Sequence, residues 1–221
     1  STVDVVTPNG FEDDFVWNGR EFDEKRAEAR RAMIRTAEAT LSCKFDGEPL
    51  IVGTSGRYEF RNKGIDIFLD ALKQLAETDA LDREVLVYIT VPSATTGPRK
   101  DLQAHLADEN SPIDPKQNRF CTHYLEHPEW DQILNSIAGS VLANPSSKVK
   151  VVFVPTYLNG RDGIFDKSYY ELLVGMDMTL FPSYYEPWGY TPLESTAFSV
   201  PTLTTTLAGF GLWAGSQGEH E

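Results

Sequence analysis

The chain has 221 residues, 41% of them hydrophobic, and a formal net charge of −13. That length suits one large domain or one and a half small ones, with enough apolar residues for a packed core. The negative excess argues against nucleic acid or an anionic membrane as the main partner, and leaves any anionic ligand to a few local cations.

Two cysteines, Cys43 and Cys121, stand far apart without metal-ligand spacing and read as reduced thiols of an intracellular protein. No apolar run approaches membrane-spanning length, and no signal peptide is visible. The start at Ser1 and the polar tail past Gly215 suggest a domain excised from a longer protein.

Val3 to Val6 reads as a short extended segment and Thr7 to Gly10 as a turn. Phe22 to Leu41 reads as a helix, rich in Ala, Glu and Arg with its acids leading its bases, and as a solvated, salt-bridged packing element. Leu50 to Thr54 is a buried-type strand, Ser55 to Lys63 a polar loop, and Gly64 to Thr78 a helix with Ile65, Phe68, Leu69, Leu72 and Leu75 on one face. Glu84 to Val91 is almost continuously apolar, as strands covered on both faces are. Helices are expected over Pro98–Glu109 and Glu129–Ser140, a strand over Val149–Val154, and a short helix over Lys167–Val174. Met178 to Phe181 is a strand, Pro182 to Tyr190 an aromatic loop, and Thr202 to Thr206 a last β-branched strand. Strands alternating with helices predict an α/β fold, a parallel sheet with helices on both faces.

The chemistry concentrates in two loops. Arg57 and Lys63 lie six residues apart between a strand and a helix. Arg offers a planar fork and Lys a compact charge to phosphate oxygens; the plainer reading is two solvated loop cations. The second loop carries Glu186 and leads into a helix holding Glu194. Glu186 can meet a sugar hydroxyl or a developing positive charge, or can be an exposed loop acid. Thr191 can cap that helix with Pro192 at its first position, and Glu194 then completes a capping box. The amides of Gly189, Tyr190 and Thr191, with the helix dipole, suit a diphosphate. Two further patterns are weak. His123 to His127 spells H-x-x-E-H, but Pro128 disfavours the helix a zinc site needs. Gly209 to Ala214 matches G-x-G-x-x-A without a convincing βαβ unit behind it. There is no Walker A loop and no Asp-x-Asp.

YYEPWGYTP, holding the first acid of the E-x7-E pair, resembles the glycosyltransferase motif of animal and fungal-type glycogen synthases. GRYEFRNKGIDIFLDAL, from Gly56 to Leu72, resembles the first strand–loop–helix of their nucleotide domain; VVTPNG, VKVVFVP and the closing stretch match as well, while roughly Pro92 to Ser147 matches weakly. The resemblance implies the C-terminal, Rossmann-like half of a GT-B glycosyltransferase, an α/β domain with a doubly wound parallel sheet. Residues 1–221 would form one nucleotide-sugar-binding domain, with 1–10 as interdomain linker and the N-terminal half absent.

It implies retaining transfer of glucose from UDP-glucose to the 4-hydroxyl of an α-1,4-glucan, without metal or other cofactor, by a cytoplasmic protein that is a homo-oligomer at full length. On the matching positions, Arg57 and Lys63 hold the diphosphate and Glu186 attends the donor sugar as catalytic residues. Glu194 takes the ribose hydroxyls, Tyr169 stacks on the uracil with Tyr170 as an adjacent competitor, and Trp188, Gly189, Tyr190 and Thr191 complete the nucleotide-sugar site. Val154-Pro155 departs from the His-Pro that relatives often carry. An ADP-glucose-dependent, starch-type synthase and a non-catalytic glucan- or protein-binding module are the alternatives.

Overall fold

The computed structural model describes residues 10–12, 14–78, 80–115 and 117–218. The expected segment at Val3–Val6, and the turn before Gly10, lie outside them. The described elements run α1 (Gly19–Leu41), β1 (Leu50–Ser55), α2 (Ile65–Ala76), β2 (Val85–Thr90), β3 (Thr95–Pro98), α3 (Lys100–Ala107), β4 (His123–Leu125), α4 (Gln132–Ala138), β5 (Val149–Phe153), α5 (Tyr169–Leu173), β6 (Met178–Phe181), α6 (Tyr190–Ala197), β7 (Thr202–Thr204) and α7 (Gly209–Gln217).

Five strands form one parallel sheet in the order β5-β2-β1-β6-β7. The chain moves outward from β1 to β2 to β5, then returns to the other side of β1 for β6 and β7. The direction reverses between β1 and β6, so the loops leaving their carboxyl ends part and open a crevice, the usual ligand position of such sheets.

Strand periodicity sorts the core into two layers. Val52, Val85, Val87, Ile89, Val149, Val151 and Phe153 face α2 and α4, while Ile51, Leu86, Tyr88 and Val152 face α1 and α5. Both layers are almost fully removed from water, which is why β2 reads as an unbroken apolar run. Each such aliphatic side chain contributes roughly 1.5–3 kcal/mol on burial. Ile65, Phe68, Leu69 and Leu72 of α2 are buried as its spacing predicts, and Leu75 is half-buried.

Several boundaries differ from expectation for local reasons. The helix expected from Pro98 starts at Lys100, because Thr95–Pro98 pairs antiparallel with β4 and leaves α3 only eight residues. The helix expected from Glu129 is a 3-10 turn over Pro128–Trp130 followed by α4, whose cap is Asp131 accepting from the Leu134 amide at 2.8 Å. Ser168 caps α5 in a reciprocal capping box with Glu171, which moves the helix start from Lys167 to Tyr169. H-x-x-E-H is no zinc helix. His123 lies in a strand, buried, with Nε2 facing the Asp162 carbonyl at 2.9 Å, and burial holds its pKa below the ordinary value. No cluster of three or more metal-ligating side chains occurs among the described residues.

The helix expected to be a solvated, salt-bridged packing element is that, and one of its faces also grips backbone carbonyls. Arg26 and Arg30 of α1 reach the carbonyls of Val174, Gly175 and Met176 and both oxygens of Asp177. The G-x-G of Gly209 and Gly211 is a packing device. A Cβ on Gly209 would strike the Pro187 carbonyl and one on Gly211 the Thr205 carbonyl, so these glycines let α7 lie directly on the neighbouring loops. No described helix is long and apolar enough to cross a membrane.

Candidate functional site at the switch point

Two loops lock together beside the crevice. The loop after β1 folds back on itself through Lys63 N–H to the Glu59 carbonyl (2.9 Å) and Gly64 N–H to the Arg61 carbonyl (2.8 Å). Gly64 begins α2 in the left-handed region (φ 66°), where a Cβ would collide with the Pro182 carbonyl of the loop after β6. A side chain there is excluded twice, by φ and by space. The Tyr184 amide donates to the Asn62 carbonyl at 2.9 Å, so the two loops are joined by backbone as well as by contact.

This junction brings Lys63 to Glu186. The two form an ion pair, Nζ to Oε2, with both side chains less than one-fifth exposed. The Lys63 stem passes within 3.9 Å of where a Cβ on Gly56 would stand, and Gly56 lines the crevice. Arg57 sits at the crevice rim, with its side chain 74% exposed and a single ion pair to Glu59 at 3.1 Å. Four of its five donors therefore have no partner among the described residues.

The crevice itself is a cavity of about 300 Å³. Arg57, Tyr169, Thr191 and Glu194 line it, together with Ser55 and Gly56 at the end of β1, Thr90 and Pro92 at the end of β2, and Thr156, Tyr157 and Leu158 after β5. Sequence reasoning missed Ser55, Thr90, Pro92 and the 156–158 stretch. All lie at or just past carboxyl ends of strands that the sequence did predict, and that position was the available signal.

The start of α6 differs from the expected cap. Gly189, not Thr191, is the N-cap, in left-handed backbone (φ 97°), and no side chain caps the helix. Thr191 is inside the first turn, where its carbonyl accepts from the Ser195 hydroxyl at 2.9 Å. The capping box is therefore not made. Glu194 is released to face the cavity and accepts from the Tyr170 hydroxyl at 3.0 Å. Burial pushes the Glu194 carboxyl up from its ordinary value, only partly countered by that hydrogen bond. Burial and the neighbouring carboxylate push the Tyr170 phenol up to about 12, and burial pushes Tyr169 up further still, so both remain donors at neutral pH. The Tyr169 and Ser55 hydroxyls share a hydrogen bond of 2.8 Å across the cavity wall. As first-turn groups, the amides of Tyr190 and Thr191 have no acceptor among the described residues.

Trp188 and Tyr190 stand apart from the cavity. The Trp188 ring packs edge-on against Phe210 (5.9 Å) and near Trp213 (6.2 Å) of α7, and Tyr190 projects into solvent. Gly189 is buried beside the Glu186 stem, 3.5 Å from where its Cβ would be. Of the nine expected site residues, four thus line one cavity, Lys63 and Glu186 are paired beside it, and Gly189 starts the adjoining helix.

Fold and site together define a Rossmann-like α/β domain whose cleft, with Arg57 at its rim and Glu194 in its wall, lies at the switch point of its sheet. A glycogen synthase family model matches residues 103–220, more than half of the chain. The chain belongs to the glycogen synthase family.

It is 29% identical, over an alignment 267 positions long, to glycogen [starch] synthase of Neurospora crassa, covering 95% of this chain and 38% of that protein. The Caenorhabditis elegans glycogen [starch] synthase is 28% identical over 94% of the chain and 39% of its own length. For the human liver glycogen [starch] synthase the values are 30%, 94% and 37%. The chain thus spans about two fifths of the length of these relatives. Among solved structures, that of WaaG, a glycosyltransferase involved in lipopolysaccharide biosynthesis, covers 92% of this chain and 39% of its own at TM-score 0.43 and 15% identity, a likeness too loose to carry an argument.

Proposed function

We propose that residues 1–221 form the donor-nucleotide half of a GT-B glycogen synthase, with residues 1–10 leading in from an acceptor half. The activity is retaining transfer of glucose from UDP-glucose to the 4-hydroxyl of an α-1,4-glucan in the cytoplasm, without a metal. The observation that carries this is the convergence, at one switch point, of a rim arginine, a lysine–glutamate pair, a helix start with unpartnered amides and a cavity-facing glutamate.

Charge accumulates on the departing diphosphate during glycosyl transfer. Fixed donors aimed at it lower the barrier, doing what a divalent ion does elsewhere. Arg57 has four donors to give, and Lys63 keeps two N–H donors while paired with Glu186. The first-turn amides of α6 and its dipole add to the same anion site. Glu186, oriented by Lys63, meets the donor sugar. Glu194, on the cavity wall, takes ribose hydroxyls, and Tyr169 provides an aromatic face for the base. A carboxylate displaced from its capping role and half-buried beside a 300 Å³ space is suited to accepting from vicinal hydroxyls. The acceptor glucan and closure of the cleft belong to the opposing half.

Calorimetry of UDP binding to the native chain and to the Arg57→Ala/Lys63→Ala double variant tests this. Two charge-assisted contacts predict a loss of about 3 kcal/mol, about 100-fold in Kd. Equal affinity in both proteins overturns the assignment. Tighter binding of ADP than UDP by the native chain would turn the donor into ADP-glucose.

A further inference from the structure

We infer that Tyr170 is a positioning residue for the donor site: its hydroxyl sets which oxygen of the Glu194 carboxylate faces the cavity. The inference deepens the donor-site reading above and takes its ligand from it.

The geometry is specific to Tyr170. Glu194 and Phe198 stand four apart in and just after α6, and the Phe198 amide donates to the Glu194 carbonyl at 3.0 Å. Residues with that spacing share one helix face. The Tyr170 side chain lies along this face and engages both. Its ring stacks on Phe198 with centroids 4.9 Å apart and planes within 14°, while its hydroxyl donates to Glu194 Oε1. Phe15 packs on the same ring at 5.5 Å and Phe11 edge-on at 6.4 Å, and Trp17 meets Phe198 at 5.6 Å.

Tyr170 itself is not part of the cavity wall, whereas its neighbour Tyr169 is. The two adjacent tyrosines therefore divide the work: one offers a surface to a ligand, the other holds the acid that receives it. With Oε1 occupied by the phenol, Oε2 is left for ribose. The rings around Tyr170 keep its hydroxyl from following any other partner. The titratable groups that touch Glu194 or line the cavity with it are Tyr169 and Tyr170 from α5, Tyr157 after β5 and Arg57 after β1.

Tyr170→Phe deletes the donor and keeps the stacked ring. The first readout needs no nucleotide. In protein carrying 13C-labelled glutamate, with Glu194→Gln to assign the signal, the Glu194 carboxyl should titrate at higher pH in Tyr170→Phe than in the native chain. An unchanged titration overturns the inference, whatever binds.

The second readout compares UDP with 2′,3′-dideoxy-UDP. Tyr170→Phe should lose about tenfold in UDP affinity and nothing for the dideoxy nucleotide, since one hydrogen-bond contact to a charged acceptor is misaligned. An equal loss for both nucleotides means general loosening and overturns the inference. Should the native chain bind neither nucleotide while the titration still moves, the donor-site reading fails and the Tyr170–Glu194 coupling stands.

Discussion

Strands β1 and β6 carry a basic–acidic cluster at each end, and the two clusters are built oppositely. At the amino end, Arg30 gives its Nε to Glu48, one nitrogen to the Gly175 carbonyl and Asp177, and the other to the Pro49 carbonyl. Arg26 grips the Val174 and Met176 carbonyls and the other Asp177 oxygen. Asp177 also receives the Ile51 amide at 2.8 Å, so one carboxylate ties α1, β1 and β6 together. At the carboxyl end, the exposed Arg57 has one partner and Lys63 has one. Donors mostly in use, three on Arg26 and four on Arg30, mark a fastening; donors in reserve mark a place for something to arrive. A count of arginines does not separate the two kinds, and a count of what each arginine already holds does.

Stability measurements can break this contrast. Asp177→Ala should cost the most, about 3 kcal/mol by urea unfolding, because it strands two partly buried guanidinium groups and an amide. A loss below about 1 kcal/mol would make the amino-end cluster no more structural than the other. The same residue gives a pH signature. Burial alone would raise the Asp177 carboxyl, but the Ile51 amide and the two arginines more than offset it and hold it below the ordinary value. A carboxylate with a depressed folded pKa contributes stability that is full above its unfolded pKa, about 4, and is lost as pH falls through the folded one. Asp177→Asn should therefore flatten the acid limb of a stability–pH curve, leaving the neutral-to-alkaline limb parallel to native.

Gly64→Ala comes next, at roughly 2 kcal/mol or more, since it forces a side chain into left-handed backbone against the Pro182 carbonyl. It should also weaken UDP binding, because the loops it separates carry Lys63 and Glu186. Thermal melts beside UDP titrations would show whether the two losses travel together. Ser168→Ala removes the α5 cap and should cost about 1 kcal/mol in the same unfolding assay. The smallest stability effect sharpens the comparison most. Arg57→Ala, at the exposed rim, should lie within about 0.5 kcal/mol of native while lowering UDP affinity about tenfold. A large destabilisation would place that cation among the fastenings.

Sequence alone made one end of the molecule readable. Alternating strands and helices identified the parallel sheet, and Arg57, Lys63, Glu186 and Glu194 were visible because their motifs are local and dense. The amino-end cluster was invisible because Arg26 and Asp177 are 151 residues apart and charge spacing along α1 only says which residues share a face. The three-residue strand β4 and its partner β3, interrupted by Gly97-Pro98, fall below what periodicity can detect. Thr191 satisfied every local rule for a cap, yet Gly189 took the position: its left-handed backbone places the α6 start beside Glu186, and Glu194 gained a better partner in Tyr170 than in its own helix. Arg99 was likewise unannounced. It is 1% exposed, paired with Asp101 and bonded to the Asn118 and Cys121 carbonyls, and only the folded chain reveals that its guanidinium is an internal brace.

The Glu186 backbone is stitched to the segment that enters α7: its amide donates to the Leu207 carbonyl and its carbonyl accepts from Gly209. The acid of an aromatic, proline-bearing loop is thereby seated as firmly as a residue in a strand, on a foundation that lies some twenty positions downstream. Damage to that foundation, such as any side chain at Gly209, would tilt the acid out of alignment while every charge at the cleft stayed in place.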